Sequence, residues 1–164
     1  MTSVSSQPVE SDTRRAPRAK PRELALTLQN PARAASIPRA EDVHKIVNLA
    51  LTRSAEICVR FASSKEARAL NLSYRGRDYA TNILSFAYHR DAEMLSGDLV
   101  LCPAVIRKEA FAQHKPLAAH YAHLLVHGVL HLEGWEHDDP ESARRMEAHE
   151  RKLLAQIGIA NPYA

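Results

Sequence analysis

The run His127-Gly-Val-Leu-His131-Leu-Glu-Gly134-Trp-Glu-His137 constrains this chain more than any other segment. It dictates a helix that stops and turns back. His127 and His131 are four residues apart, so on a helix they share a face and sit about 6 Å apart along the axis. Gly134 can end such a helix in a left-handed turn without steric cost. His137 is then returned toward the same face. Three neutral imidazoles converge, each suited to a metal at about 2.0–2.1 Å, and a fourth position is left open for water. That is the pattern of a catalytic zinc site, because structural sites are usually closed by four protein ligands. His123 lies on the same stripe but about 12 Å from His131 along a straight helix, too far to share the ion. With His120 it sits beside the metal stripe, where it can support a ligand or face a substrate.

The remaining segments switch between strand and helix periods. Leu24, Leu26 and Leu28 alternate against Glu23, Thr27 and Gln29, which predicts a half-buried strand over 23–29. Val43, Ile46, Val47 and Ala50 follow Pro38 at helical spacing and predict a helix over 39–52. Alternation returns over 56–62, and a helix is predicted over 64–73, followed by a turn or loop over Tyr74–Asp78. The apolar runs Ile83–Phe86 and Leu99–Cys102 read as adjacent strands separated by a polar segment. Pro103 opens a helix to about Gln113, and Pro116 opens another to Glu133. Asp139-Pro140 caps a last helix, whose apolar stripe is Met146, Leu153, Leu154 and Ile157. The order βαβαββααα lacks sustained βαβ alternation. It predicts an α+β domain over residues 23–164, a small mixed four-stranded sheet packed with about five helices.

Composition narrows the function classes. Two cysteines exclude a disulfide scaffold and an all-cysteine zinc site. No stretch approaches 18 apolar residues, so a membrane-spanning helix is excluded. Residues 1–22 are rich in Ser, Pro, Arg and Ala and lack the apolar centre of a secretory signal; they read as a disordered arm. That arm carries the whole net charge of +3, and the rest of the chain balances at zero. A nucleic-acid surface would therefore be a local patch.

The spacing His-x3-His-x2-Gly-x2-His is also that of the metzincin peptidases. Those place a general-base Glu directly after the first His, and this chain has Gly128 there. The motif instead closely resembles the signature of the YbeY family of rRNA maturation factors, H-G-x-L-H-L-x-G-Y-D-H. Two further blocks carry the resemblance: Leu70–Asp78 with Thr81–Phe86, and Gly97–Cys102. It spans roughly residues 23–164. Trp135 and Glu136 stand where the family has Tyr and Asp, and Phe86-Ala87-Tyr88-His89 where it more often has F-P-F-E. If the acidic residue orients a histidine, Glu136 would do so with one extra methylene.

The resemblance implies a single-strand-specific, metal-dependent endoribonuclease in the cytoplasm, acting in 16S rRNA 3′ end maturation and ribosome quality control. It implies one Zn2+ at His127, His131 and His137, and a catalytic arginine at Arg75. A guanidinium offers a planar fork to a phosphate and can stabilise charge developing on a phosphodiester. Arg77 and Lys108 are further basic residues for an RNA groove, while Asn82 and Ser85 stand as cleft or strand residues. The implied partners are single-stranded RNA or rRNA, and the small ribosomal subunit with its assembly factors. Two rivals remain open: an rRNA-binding assembly factor whose zinc is structural, and a metal-dependent hydrolase of another substrate.

Overall fold

A computed structural model describes residues 21–164. Most of the arm expected over 1–22 lies outside the described residues; at its end, the Arg22 guanidinium donates to the Leu51 carbonyl. The elements follow in the predicted order: β1 (Leu24–Gln29), α1 (Ala40–Ala50), β2 (Ser54–Phe61), α2 (Ser64–Arg75), β3 (Ile83–Arg90), β4 (Met94–Leu101), α3 (Pro103–Ala112), α4 (Leu117–Leu132) and α5 (Pro140–Gln156). No helix among the described residues is long and apolar enough to cross a membrane.

The four strands form one mixed sheet in the order β1-β2-β4-β3. β1 and β4 flank β2 in parallel, with Leu26 opposite Ile57 and Leu99 opposite Val59. β3 returns antiparallel to β4, with Phe86 opposite Asp98. Period-2 alternation sends Ala55, Ile57, Val59 and Phe61 to one face, where α1 and α4 cover them. The opposite face is covered at one end by α2, through a smaller cluster of Ala62, Leu84 and Val100 with Leu70 and Phe86. α4 is buried on most of its circumference and packs against α1, α3, α5, β3 and β4. Burying each large aliphatic side chain there contributes about 1.5–3 kcal/mol, so the helix carrying the histidine run is also the helix that organises the core.

Two sequence expectations are extended. β3 and β4 are each eight residues long, longer than the apolar runs that mark them. The outer half of β3, Ala87–Arg90, is exposed, so its pairing is held by backbone and leaves no apolar pattern. α2 also runs through Tyr74 and Arg75, which were expected in a loop. It ends only at Gly76, where φ is +68° and the cap N–H donates to Leu72 O at 3.0 Å. Gly76 takes that left-handed conformation without the Cβ penalty other residues meet.

Candidate metal centre

The histidine run folds as its spacing dictates. Leu124, Leu125, Val126, Val129, Leu130 and Leu132 anchor α4 in the core, and this leaves His127 and His131 on the remaining face, half-buried. Gly134 has φ +100°. Its N–H donates to His131 O at 3.0 Å, and the Trp135 N–H donates to Leu130 O at 2.9 Å. This pair of bonds is the Schellman motif, and it satisfies carbonyls that the helix end would orphan. Arg90 donates to Leu132 O at 3.1 Å. The reversed chain brings His137 back, its ring centroid 4.7 Å from that of His131 and 5.5 Å from that of His127.

Gly128 faces the sheet. A Cβ built there would lie 2.7 Å from Ile83 Cδ1 and 2.9 Å from Leu99 Cδ2. A glutamate at this position would enter the core and not the site. The metzincin reading therefore fails on packing as well as on residue identity.

Hydrogen bonds settle the ring tautomers. His131 Nδ1 lies 2.9 Å from the Trp135 carbonyl, which can only accept, so Nδ1 carries the proton. His127 Nδ1 lies 2.5 Å from Glu150 Oε1. Burial pushes the Glu150 carboxyl up, but hydrogen bonds from His123, His127 and Tyr163 outweigh it and hold the group at about 2. Glu150 is thus an ionised acceptor, and His127 Nδ1 donates. Both rings turn Nε2 lone pairs toward one another across 3.0 Å. Two such nitrogens repel unless a cation lies between them. His131 is itself held neutral down to about 4, first by burial and then by repulsion from His127 and His137.

These residues fit a zinc ion. Ligand nitrogens of His127, His131 and His137 all lie within 4.8 Å of one another. Two nitrogens on one tetrahedral zinc lie about 3.3 Å apart, close to the 3.0 Å between His127 and His131. His123, His127 and Glu150 form a second group of comparable compactness. Its carboxylate is already engaged by donors, so it supports the first group.

Arg75 and the histidines share one cleft of about 600 Å³, whose opposite wall is Tyr74, Arg75 and Thr81–Phe86. The last turn of α2 presents Arg75 there. The buried Asn71 donates to Tyr79 O at 2.8 Å and so ties the following loop against that turn. Ser85 lines the cleft and donates to Gly128 O at 3.3 Å, linking β3 to α4. Asn82 lines it too, its amide donating to Glu109 and its carbonyl accepting from Ile83 N–H. Of the basic residues expected in the groove, Arg75 lines it. Arg77 instead donates to the Tyr79 hydroxyl at 3.3 Å, and Lys108 is exposed on α3.

A family model described as endoribonuclease YbeY matches residues 29–158. Proteins named endoribonuclease YbeY from Paraburkholderia phymatum and Aromatoleum aromaticum are each 48% identical to this chain, covering 85% and 86% of it and 95% and 93% of their own lengths. The chain belongs to the endoribonuclease YbeY family. A further relative of that name, from Nitrosospira multiformis, is 41% identical over 100% of this chain and 94% of its own. The solution structure of TM1509 from Thermotoga maritima shares the fold at 18% identity, with a TM-score of 0.50 over 80% of this chain and 91% of that one.

Two features of this YbeY-family site escaped the sequence reading. The carboxylate on the metal stripe belongs to Glu150 of α5, while Glu136 is exposed. The signal was a lone acid on the apolar stripe between Met146 and Leu153. Tyr74 and Phe86 form an edge-to-face pair, with centroids 4.8 Å apart, on the cleft wall. Their separation in sequence hid that pairing.

Proposed function

We propose that this YbeY-family endoribonuclease cleaves single-stranded RNA in the cytoplasm, with rRNA of the small ribosomal subunit as its substrate and one zinc ion held by His127, His131 and His137. Processing at the 16S 3′ end, contact with small-subunit assembly factors and a part in ribosome quality control belong to the same proposal. The observation that carries it is the shared cleft, with Arg75 on one wall and three convergent imidazole nitrogens on the other.

When bound, the zinc supplies a Lewis acid that polarises a phosphate oxygen and acidifies water. The chain's own residues do the rest. Arg75 grips the phosphate through its planar fork and stabilises charge as it develops. Glu150 and the Trp135 carbonyl lock His127 and His131 with their Nε2 lone pairs turned inward, so the rings need no reorganisation on loading. Tyr74 stacks an unpaired base at the cleft wall, a sequence-tolerant contact that duplex RNA does not offer.

The test is cleavage of a labelled single-stranded RNA by wild type and by His131→Ala prepared identically. Cleavage by wild type alone, with the variant folded and still binding RNA, supports a catalytic metal. Equal cleavage by both removes the metal from the mechanism. No cleavage by either, with unfolding on metal removal, favours the assembly-factor reading with a structural zinc.

A further inference from the structure

The Glu150 carboxylate is fully buried on the apolar stripe of α5. An ionised carboxylate is retained in such a place only when its oxygens are well partnered. One oxygen, Oε1, accepts from His127. The other, Oε2, accepts from the Tyr163 hydroxyl and, at 3.2 Å, from His123 Nε2.

Tyr163 reaches this point by a chain reversal. α5 ends at Gln156, and Gly158, with φ +75°, turns the chain back along the helix. Pro162 is buried, and its carbonyl accepts from the Lys115 ammonium. The Tyr163 N–H donates to Asn161 Oδ1 at 2.9 Å, and its ring stands edge-on to His123 with centroids 5.2 Å apart. Tyr163 as a residue is 42% exposed, yet its hydroxyl is spent on the carboxylate of the fully buried Glu150. Packing alone does not require that arrangement.

We propose that Tyr163 is a positioning residue for the metal centre: its hydroxyl holds Glu150 in the orientation that keeps His127 in the Nδ1–H tautomer with Nε2 turned inward. This rests on the metal reading above. The C-terminal segment is then a working part of the site, acting two contacts away from the ligand nitrogen. Without the hydroxyl, Oε2 keeps only the longer His123 contact. The carboxylate can then rotate, and His127 samples both tautomers and other ring angles.

Tyr163→Phe removes the hydroxyl and leaves the ring against His123, so the fold is retained. Three measurements test it: nitrogen-15 NMR of the histidine tautomers in metal-free protein, zinc affinity by chelator competition, and the split between kcat and KM on single-stranded RNA. We expect His127 to lose its single Nδ1–H tautomer, zinc to bind about tenfold more weakly, and kcat to fall with KM within twofold. Unchanged tautomer signals and unchanged zinc affinity in Tyr163→Phe would overturn the proposal. His131→Ala binding zinc as wild type does would instead overturn the metal reading beneath it. The tautomer signals, read without metal, keep these two failures apart.

Discussion

Gly128→Ala adds one methyl at the closest approach of α4 to the sheet. In an open helix the change would stabilise by about 1 kcal/mol, because glycine is a poor helix former. Here the new Cβ lies 2.7 Å from Ile83 Cδ1 and 2.9 Å from Leu99 Cδ2. An ordinary carbon–carbon contact is about 3.5 Å, so the neighbours must yield by roughly 0.8 and 0.6 Å. Both are buried, and overpacking of this kind costs about 1–3 kcal/mol. The helix gain offsets part of that and leaves a net loss of about 0–2 kcal/mol. The relief available is for α4 to lift from β3 and β4. His127 and His131 flank the substitution and would lift with it, away from Arg75 on the far wall. Misplacement on the ångström scale costs up to about 100-fold in rate, so cleavage should fall by more than stability does. Urea unfolding and single-turnover RNA cleavage, measured on the same preparations, check both halves. A variant more stable than wild type by about 1 kcal/mol, with full activity, would refute the reasoning.

Arg75→Lys keeps the charge but loses the fork; cleavage should drop about tenfold or more with the thermal midpoint unchanged, and wild-type rates would rule out bidentate phosphate binding. Tyr74→Ala should weaken single-stranded RNA binding about tenfold, as one lost base stack implies, while Tyr74→Phe retains it; equal binding by all three proteins would dismiss the stacking contact. Metal-free protein should lose stability as pH falls. The unfolded chain protonates His131 near 6.5 and the folded chain only near 4, so acid favours unfolding across that window. Glu150 adds a further loss as pH drops from 4.5 toward about 2. A urea midpoint that stays flat from pH 7 to pH 4 in chelator would contradict the burial of His131.

The convergence of the three histidines was legible because its geometry is local. A four-residue helical spacing and one glycine fix where three imidazoles go, and neighbouring packing has little room to alter it. β1 and β2 were equally plain, since in each the alternating positions on one face are more deeply covered than those on the other. Arg75 is different. It faces the histidines only because β4 inserts between β2 and β3, which leaves β3 at the sheet edge, with α2 on one face and α4 on the other, so that the cleft runs across that edge strand. No pattern within either segment encodes that order, and resemblance alone pointed to the residue. Glu150 left a faint mark as an acid among apolar stripe positions. Tyr163 left none, because its role depends on a turn that brings it back 13 residues along the chain.

β3 lies at one edge of the sheet. Its first half, Ile83–Phe86, is also a wall of the cleft. An unpaired edge is a template for a strand from another molecule, and here such a strand would seal the site it joined. The outer half carries an irregularity between Ala87 and His89 and ends in exposed Tyr88, His89 and Arg90. A kinked, polar edge of that kind breaks the ladder a visiting strand needs. The same stretch that leaves the groove open to RNA therefore guards it against self-association. Changes that straighten it would be felt first as aggregation at high protein concentration, before any loss of metal binding.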